Sequence, residues 1–171
     1  GQACCTNYIH AEHMLLYFYP PKDVKEKTIT LSTLEQNMIH IIGASNVKIE
    51  GLILESGRGN AIFINSLKFG REISFKSHNI VVENCIIRNF NQWGVIIKNS
   101  QNSTVNNCEI YNMGAGGVSL GNEKKSFSLV KENNLVTNCE IYEIAFDQKS
   151  QVPAITLAGN GNSAKNNEIY N

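Results

Sequence analysis

The sequence lacks the features that mark several functional classes. Its 15 basic and 15 acidic residues cancel to a net charge of zero, and no basic face points to a nucleic acid. No apolar run approaches the ~20 residues that a membrane-spanning helix requires. We therefore expect neither a nucleic acid nor a membrane as a partner of this 171-residue chain.

A disulfide framework and a metal site are also missing from the pattern. The five cysteines are an odd set, and Cys4 and Cys5 are adjacent, which is an awkward geometry for a mutual disulfide. His10 and His13 lie three residues apart, a spacing that could present a metal pair on a helix. The pattern around them is that of a strand, which favours surface histidines. We predict no metal, no other cofactor and no disulfide framework.

Amphipathic helical patterning is absent too, and a short repeat stands in its place. Residues 84–89 (Asn-Cys-Ile-Ile-Arg-Asn) return with variation at residues 107–112, 138–143 and 166–171, and residues 51–56 form a degenerate copy. Successive copies begin 33, 23, 31 and 28 residues apart. Such a period indicates a repeat architecture, and units without a 3.6-residue pattern argue against the helical repeat classes.

Three short β-type runs make up each repeat. Each copy is preceded by a run rich in Val and Ile, such as residues 79–82, and is followed after a loop by another, such as residues 94–97. This pattern predicts an all-β fold, a right-handed parallel β-helix of about four to five coils. Successive coils of such a solenoid stack about 4.8 Å apart, so equivalent residues form ladders.

The aligned copies predict which side chains face the core. Three cysteines and the isoleucines two places after them fall inside, where cysteine behaves as a small hydrophobe. The asparagine that starts each copy falls at a bend, where it tolerates positive φ and can hydrogen-bond along the axis. The predicted inward residues are Cys85, Cys108, Cys139, Ile87, Ile110, Ile141 and Ile169, and the bend residues are Asn84, Asn107, Asn138 and Asn166.

The chain is expected to divide near residue 37. Residues 1–37 are predicted to form a small N-terminal β cap over the first coil, with strands at residues 14–19 and 28–31 as an antiparallel pair. Residues 38–171 hold the repeats, beginning with a strand at residues 38–43.

Loop insertions and the chain end complete this division. Because no capping segment follows the last copy, we expect an incomplete solenoid whose remaining coils belong to a longer chain. The predicted insertions are residues 66–77, 121–131 and 145–153.

Several segments resemble a known family. Residues 15–21 (Leu-Leu-Tyr-Phe-Tyr-Pro-Pro), 43–52, 114–120, 153–155 and 159–162 together resemble the secreted right-handed parallel β-helix repeat proteins of the pectate-lyase-like superfamily, especially its polysaccharide-processing, glycosidase-like branch. The resemblance covers nearly the whole chain after residue 13. It implies an extracellular or cell-surface protein that binds or cleaves a polysaccharide. The superfamily also contains adhesive and purely structural members.

The resemblance also implies where a glycan would bind. In such enzymes the substrate lies along the outer face of one stacked sheet near the inserted loops, here the sheet of the strands that follow each copy. Trp93, the only Trp, could stack on a sugar ring there or act as a packed loop anchor. The substrate-binding candidates are Arg58, Trp93, Lys98, Ser119, Asp147 and Thr156.

A complete catalytic set is missing. Glycoside hydrolysis usually needs two carboxylates, yet the only aspartates are Asp23 and Asp147, and the stacked Glu109, Glu140 and Glu168 belong to a different face. A lyase using Lys98 with Arg58 or Lys149 stays open, and the catalytic residues stay unassigned. Two hypotheses therefore stand, a piece of a carbohydrate-active enzyme and a non-catalytic structural or adhesive β-helix module.

Overall fold

The computed structural model describes residues 7–10, 15–18, 29–69, 72–121, 130–147 and 150–170. The chain forms two compact units, which divide between Leu31 and Ser32.

The first unit contains an antiparallel strand pair, β1 (Asn7–His10) and β2 (Leu15–Phe18). The strand predicted over residues 14–19 is confirmed, but its predicted partner is wrong. Ile29–Leu31 adopt no strand, and Thr28 lies outside the described residues. A connection of four residues joins β1 to β2, and closing so short a loop costs less entropy than bridging the longer stretch from residue 19 to residue 28.

The second unit is built from short strands that recur in threes. Their bounds in chain order are β3 (Ile39–Ile42), β4 (Lys48–Glu50), β5 (Ile53–Gly57), β6 (Ile62–Asn65), β7 (Leu67–Phe69), β8 (Glu72–Phe75), β9 (Ser77–His78), β10 (Val81–Glu83), β11 (Ile86–Phe90), β12 (Val95–Lys98), β13 (Ser100–Gln101), β14 (Thr104–Asn106), β15 (Glu109–Met113), β16 (Val118–Leu120), β17 (Leu135–Thr137), β18 (Glu140–Tyr142), β19 (Ile155–Leu157), β20 (Ser163–Lys165) and β21 (Glu168–Tyr170).

Three parallel sheets of five strands each form the walls. The upstream sheet has the order β20-β17-β14-β10-β4, the middle sheet β21-β18-β15-β11-β5 and the downstream sheet β19-β16-β12-β6-β3. Each strand pairs with its equivalent one coil away. The fold is a right-handed parallel β-helix, as the repeat predicted.

The register of the middle sheet confirms the alignment of the repeat copies. Ile86 pairs with Ile53 on one side and Glu109 on the other, and Glu140 pairs with Glu109 and Glu168. In a β-strand a one-residue slip would move every side chain to the opposite face. The alignment of the sequence repeats therefore predicts the register of strand pairing in the middle sheet.

Two details differ from the predicted strands. The run at residues 38–43 does form a strand, but β3 pairs with β6 and so belongs to the downstream sheet. The insertion at residues 66–77 contains an antiparallel hairpin of β7 and β8. Most of the second insertion, residues 122–129, lies outside the described residues.

The core consists of stacked apolar side chains. Cys85, Cys108 and Cys139 are buried with free thiols, as predicted. The isoleucine ladder is buried at Ile87, Ile110 and Ile141, with one exception: Ile169 is 53% exposed. This residue holds the predicted register on β21, but within the described residues no further coil covers it.

Asparagines in the left-handed region turn the corners of the coils. All four predicted bend asparagines have φ between 49° and 54°. The predicted ladder of amide hydrogen bonds forms only in part. Asn107 Nδ2 donates to Asn84 Oδ1 at 2.8 Å, whereas Asn138 Nδ2 donates to Asn106 Oδ1 at 3.0 Å instead.

We predict that Asn107→Ala destabilises the protein by about 1–3 kcal/mol. The variant loses a residue suited to φ 49° and the hydrogen bond to Asn84. Asn91→Ala is the matched control because Asn91 is exposed and is not among the residues with positive φ, so its effect should stay within about 0.5 kcal/mol. Chemical denaturation measures both, and equal losses would refute the bend argument.

We also predict that the three core thiols resist alkylation in the folded protein. All three thiols are buried in the core, which keeps the labelling reagent away from them. At Cys108, a hydrogen bond with Cys139 and burial also raise the pKa of the thiol. The measurement is mass spectrometry after thiol labelling, in a background carrying Cys4→Ser and Cys5→Ser. Rapid labelling of two core thiols without denaturant would contradict the buried ladder.

Candidate functional site

The outer face of the downstream sheet places two candidate residues side by side. Ser119 of β16 pairs with Ile96 of β12 and with Thr156 of β19, so the two hydroxyl side chains are neighbours on one row. His40 and Phe63 continue this row, with ring centroids 5.1 Å apart in an edge-to-face arrangement. The row thus changes from aromatic to hydroxylated along the solenoid.

Ile96, in the middle of this row, is only 7% exposed although the other members of the row are more exposed. It still alternates with the core residues Val95 and Ile97 along β12. Removal of this apolar side chain from water stabilises the fold, even though the side chain lies on an outer face.

A second group of candidates lies where the chain turns into the downstream sheet. Trp93 occupies this corner one coil after Asn60, whose Oδ1 accepts a hydrogen bond from the Trp93 backbone N–H at 3.1 Å. Arg58 precedes β6 at the same corner. Asp147 reaches it through its backbone N–H, which donates to the Gly114 carbonyl at 3.2 Å.

Trp93 packs closely on the next coil. A Cβ atom added to Gly116 would lie 2.6 Å from Cη2 of Trp93 and 2.6 Å from the carbonyl oxygen of Pro153. Only glycine leaves room for the indole there. Trp93 therefore packs on the next coil while staying half-buried, and its sugar-stacking role stays a prediction.

The candidates do not converge on one point. Arg58 lies before its strand, whereas Lys98 is the last residue of the neighbouring strand β12, so the two cations sit at opposite ends of adjacent strands. Lys149, the alternative partner of Lys98, lies outside the described residues.

An open cleft of about 580 Å³ lies at the Arg58 end of this sheet. Its most prominent polar contact is the ion pair between Arg58 Nη1 and Glu35 Oε1 at 2.5 Å, on side chains that are largely exposed. Asn60 Nδ2 donates to Asn37 Oδ1 at 2.7 Å across the same corner. The lining residues are Glu35, Gln36, Asn37, His40, Arg58, Gly59, Asn60 and Gln92.

Sequence reasoning missed half of this cleft, although a signal existed. Residues 37–41 and 60–64 share a pattern 23 residues apart: an asparagine followed by a strand with isoleucine at two alternate positions. The middle-sheet copies alone predict the repeat, and they leave residues 35–37 in the N-terminal segment. The backbone of this segment packs tightly on the first coil: a Cβ atom added to Gly59 would lie 2.4 Å from the Gln36 carbonyl oxygen, and the Arg58 N–H donates to the carbonyl of the preceding Leu34 at 2.9 Å.

The acidic ladder lies on the outer face of the middle sheet, away from the cleft. Glu109, Glu140 and Glu168 pair in register along this face. Tyr142 donates to Glu109 Oε1 at 2.6 Å, and Tyr170 donates to Glu140. Burial and the Glu109 hydrogen bond raise the pKa of Tyr142, and the Glu140 hydrogen bond raises the pKa of Tyr170 to about 12.

The family comparison agrees with this geometry. A family model described as "Right handed beta helix region" matches residues 24–171.

The chain belongs to the right-handed β-helix family.

Searches of curated proteins and of solved structures returned no match.

The chemistry available to this β-helix protein is that of its polar cleft. Glu35 is the one carboxylate among the described residues that line the cleft, and Arg58 neutralises it. Across the described residues, no group of three His, Cys, Asp or Glu side chains is placed to hold a metal ion. In the same part of the chain, no helix has the length and apolar character to cross a membrane. The cleft can exchange hydrogen bonds with a polar ligand.

We predict that Gly116→Ala lowers the free energy of unfolding by about 1–3 kcal/mol, because the added methyl group has no room beside Trp93 and Pro153. The cost should shrink in the double variant with Trp93→Ala, since the two sites are in contact. Ser119→Ala, on a partly exposed row, serves as the control. Additive effects of the two substitutions in thermal or chemical denaturation would contradict the packing.

Proposed function

We propose that this β-helix is a glycan-binding module that acts outside the cell or at its surface. The observation that carries the proposal is the polar cleft at the end of the downstream sheet, which opens beside a face bearing Ser119 and Thr156. A polysaccharide would occupy the cleft with one or two residues and extend along the sheet. The family resemblance of the sequence supports the same class of ligand.

The lining of the cleft suits hydroxyl-rich ligands. Side-chain amides supply a donor and an acceptor each, as at Gln36 and Gln92, and Arg58 adds a planar set of donors. The side chains of Asn37 and Asn60 are hydrogen-bonded to each other, so their positions are fixed before a ligand binds. Preorganised polar groups reduce the entropy lost on binding.

The same cleft favours binding over hydrolysis. Glycosidases flank the scissile bond with two carboxylates, roughly 5 to 9.5 Å apart. The described lining offers Glu35 alone, held by Arg58. The Glu109 ladder faces outward from another sheet and takes hydrogen bonds from tyrosines. A lyase pairing of Lys98 with Arg58 is disfavoured because they lie at opposite ends of neighbouring strands.

The proposal predicts that Gln92→Ala and His40→Ala each weaken glycan binding about fivefold to tenfold, the loss of one ligand hydrogen bond. Trp93 is the only tryptophan and follows Gln92 directly, so its fluorescence can report binding. The panel would comprise pectic, alginate and mucin-type glycans, titrated against wild type and variants.

Lys165→Ala is the control, since Lys165 is exposed on the upstream sheet. Equal binding by all variants would place the ligand elsewhere. A complete lack of binding across the panel would favour the structural or adhesive module instead.

We further predict no turnover of these polysaccharides in reducing-sugar and unsaturated-product assays, because the cleft lacks a carboxylate pair. Turnover abolished by Lys98→Ala would overturn this in favour of a base-catalysed lyase. Turnover abolished by Asp147→Ala would instead reveal a hydrolase.

A further inference from the structure

Three tyrosines form a stack on the outer face of the middle sheet, remote from the glycan cleft. The ring of Tyr142 lies between those of Tyr111 and Tyr170, with centroids 4.8 and 4.9 Å apart. The ring planes are nearly parallel, at 4° and 3°. The centroid spacing matches the distance between successive coils, so the parallel stack follows from the register of the coils.

The three phenol oxygens have different partners. Tyr142 donates to Glu109 Oε1 at 2.6 Å, and Tyr170 donates to Glu140. The oxygen of Tyr111 instead accepts a hydrogen bond from Arg88 Nη1 at 2.9 Å. Arg88 also binds Glu55, with Nε 2.7 Å from Oε2. Two tyrosines of the stack therefore have a carboxylate proton acceptor, and the third has a cation.

This difference matters for oxidation. One-electron oxidation of a phenol to a phenoxyl radical also releases its proton, and the hydrogen bonds to Glu109 and Glu140 provide acceptors already in contact. A guanidinium at the oxygen of Tyr111 opposes the loss of an electron from that ring. Both hydrogen-bonded phenols have raised pKa values, so each is protonated at neutral pH and needs such an acceptor.

We propose that Tyr142 and Tyr170 form an oxidative cross-linking site, at which a haem peroxidase with hydrogen peroxide joins adjacent coils as a dityrosine. Each phenol loses one electron and one proton, the two radicals couple by a carbon–carbon bond ortho to the hydroxyls, and the rings regain aromaticity by moving the ortho hydrogens to oxygen. The peroxide takes up the two electrons and two protons and becomes two waters. The protein loses two hydrogen atoms.

Access and selectivity support this assignment. Tyr142 and Tyr170 lie on the outer face of the middle sheet and neither is buried, so an external oxidant can reach both phenols from that face. The thiols of Cys85, Cys108 and Cys139 are buried and shielded from the same oxidant.

The test treats the dilute full chain with haem peroxidase and hydrogen peroxide. Tyr8, Tyr17 and Tyr19 are replaced by Phe, so that only the stack remains. The monomeric fraction is examined for dityrosine fluorescence, and peptide mass mapping should join the Tyr142 and Tyr170 peptides with the loss of two hydrogens. The product should survive thiol reduction, which a disulfide would not.

Matched variants separate the two possible pairs. Tyr111→Phe should retain the cross-link and Tyr170→Phe should abolish it. Glu109→Gln combined with Glu140→Gln should lower the yield several-fold while leaving the melting temperature close to that of the parent. A predominant link between Tyr111 and Tyr142, a yield indifferent to both Gln substitutions, or links only between molecules would each overturn the proposal.

Discussion

The in-register stacking of coils is the constraint on which the rest of this structure depends. Each strand satisfies its backbone hydrogen bonds only with the equivalent strand one coil away, so each residue must tolerate its equivalents as direct neighbours about 4.8 Å distant. Corners in the left-handed region make that repeat possible, because they let a short chain segment change direction between sheets. Asparagine serves there since it accepts positive φ at low cost and its amide can bond along the axis, as between Asn84 and Asn107.

The effect of stacking on stability depends on the chemistry of the stacked side chains. Apolar residues gain from it, and the buried ladder of Cys85, Cys108 and Cys139 is the result. Stacked side chains of like charge repel one another. On the outer face of the middle sheet, the tyrosine of one coil donates a hydrogen bond to the glutamate of the coil before it. Hydrogen bonds from the phenols thus stabilise the negative charges of Glu109 and Glu140, which favours the placement of carboxylates in one row.

The fold could be predicted from the sequence because the stacking constraint produces a similar sequence pattern in successive coils. The copies beginning at Asn84 and Asn107 gave both the architecture and the register, which the pairing of Ile86 with Glu109 confirms. The candidate site could not be predicted as well, because it is formed where the repeat breaks down. Glu35 and Asn37 carry no copy of the middle-sheet motif. The period does align Trp93 with Gly116, but it does not indicate that an indole packs against that glycine.

That contrast indicates where function arises in this family member. Residues inside the ladders are fixed by their neighbours in two adjacent coils, so most substitutions there cost stability before they change binding. Corner residues before the downstream sheet differ from coil to coil, from Asn60 to Trp93 to Gly116, although these three also contact one another across coils. The cleft combines both properties: rigid strands hold its floor at His40, while variable corner residues such as Arg58 supply its chemistry. A solenoid can therefore change its ligand at exposed corner residues such as Arg58, whereas a corner residue packed on the next coil, such as Gly116, stays constrained by the stack.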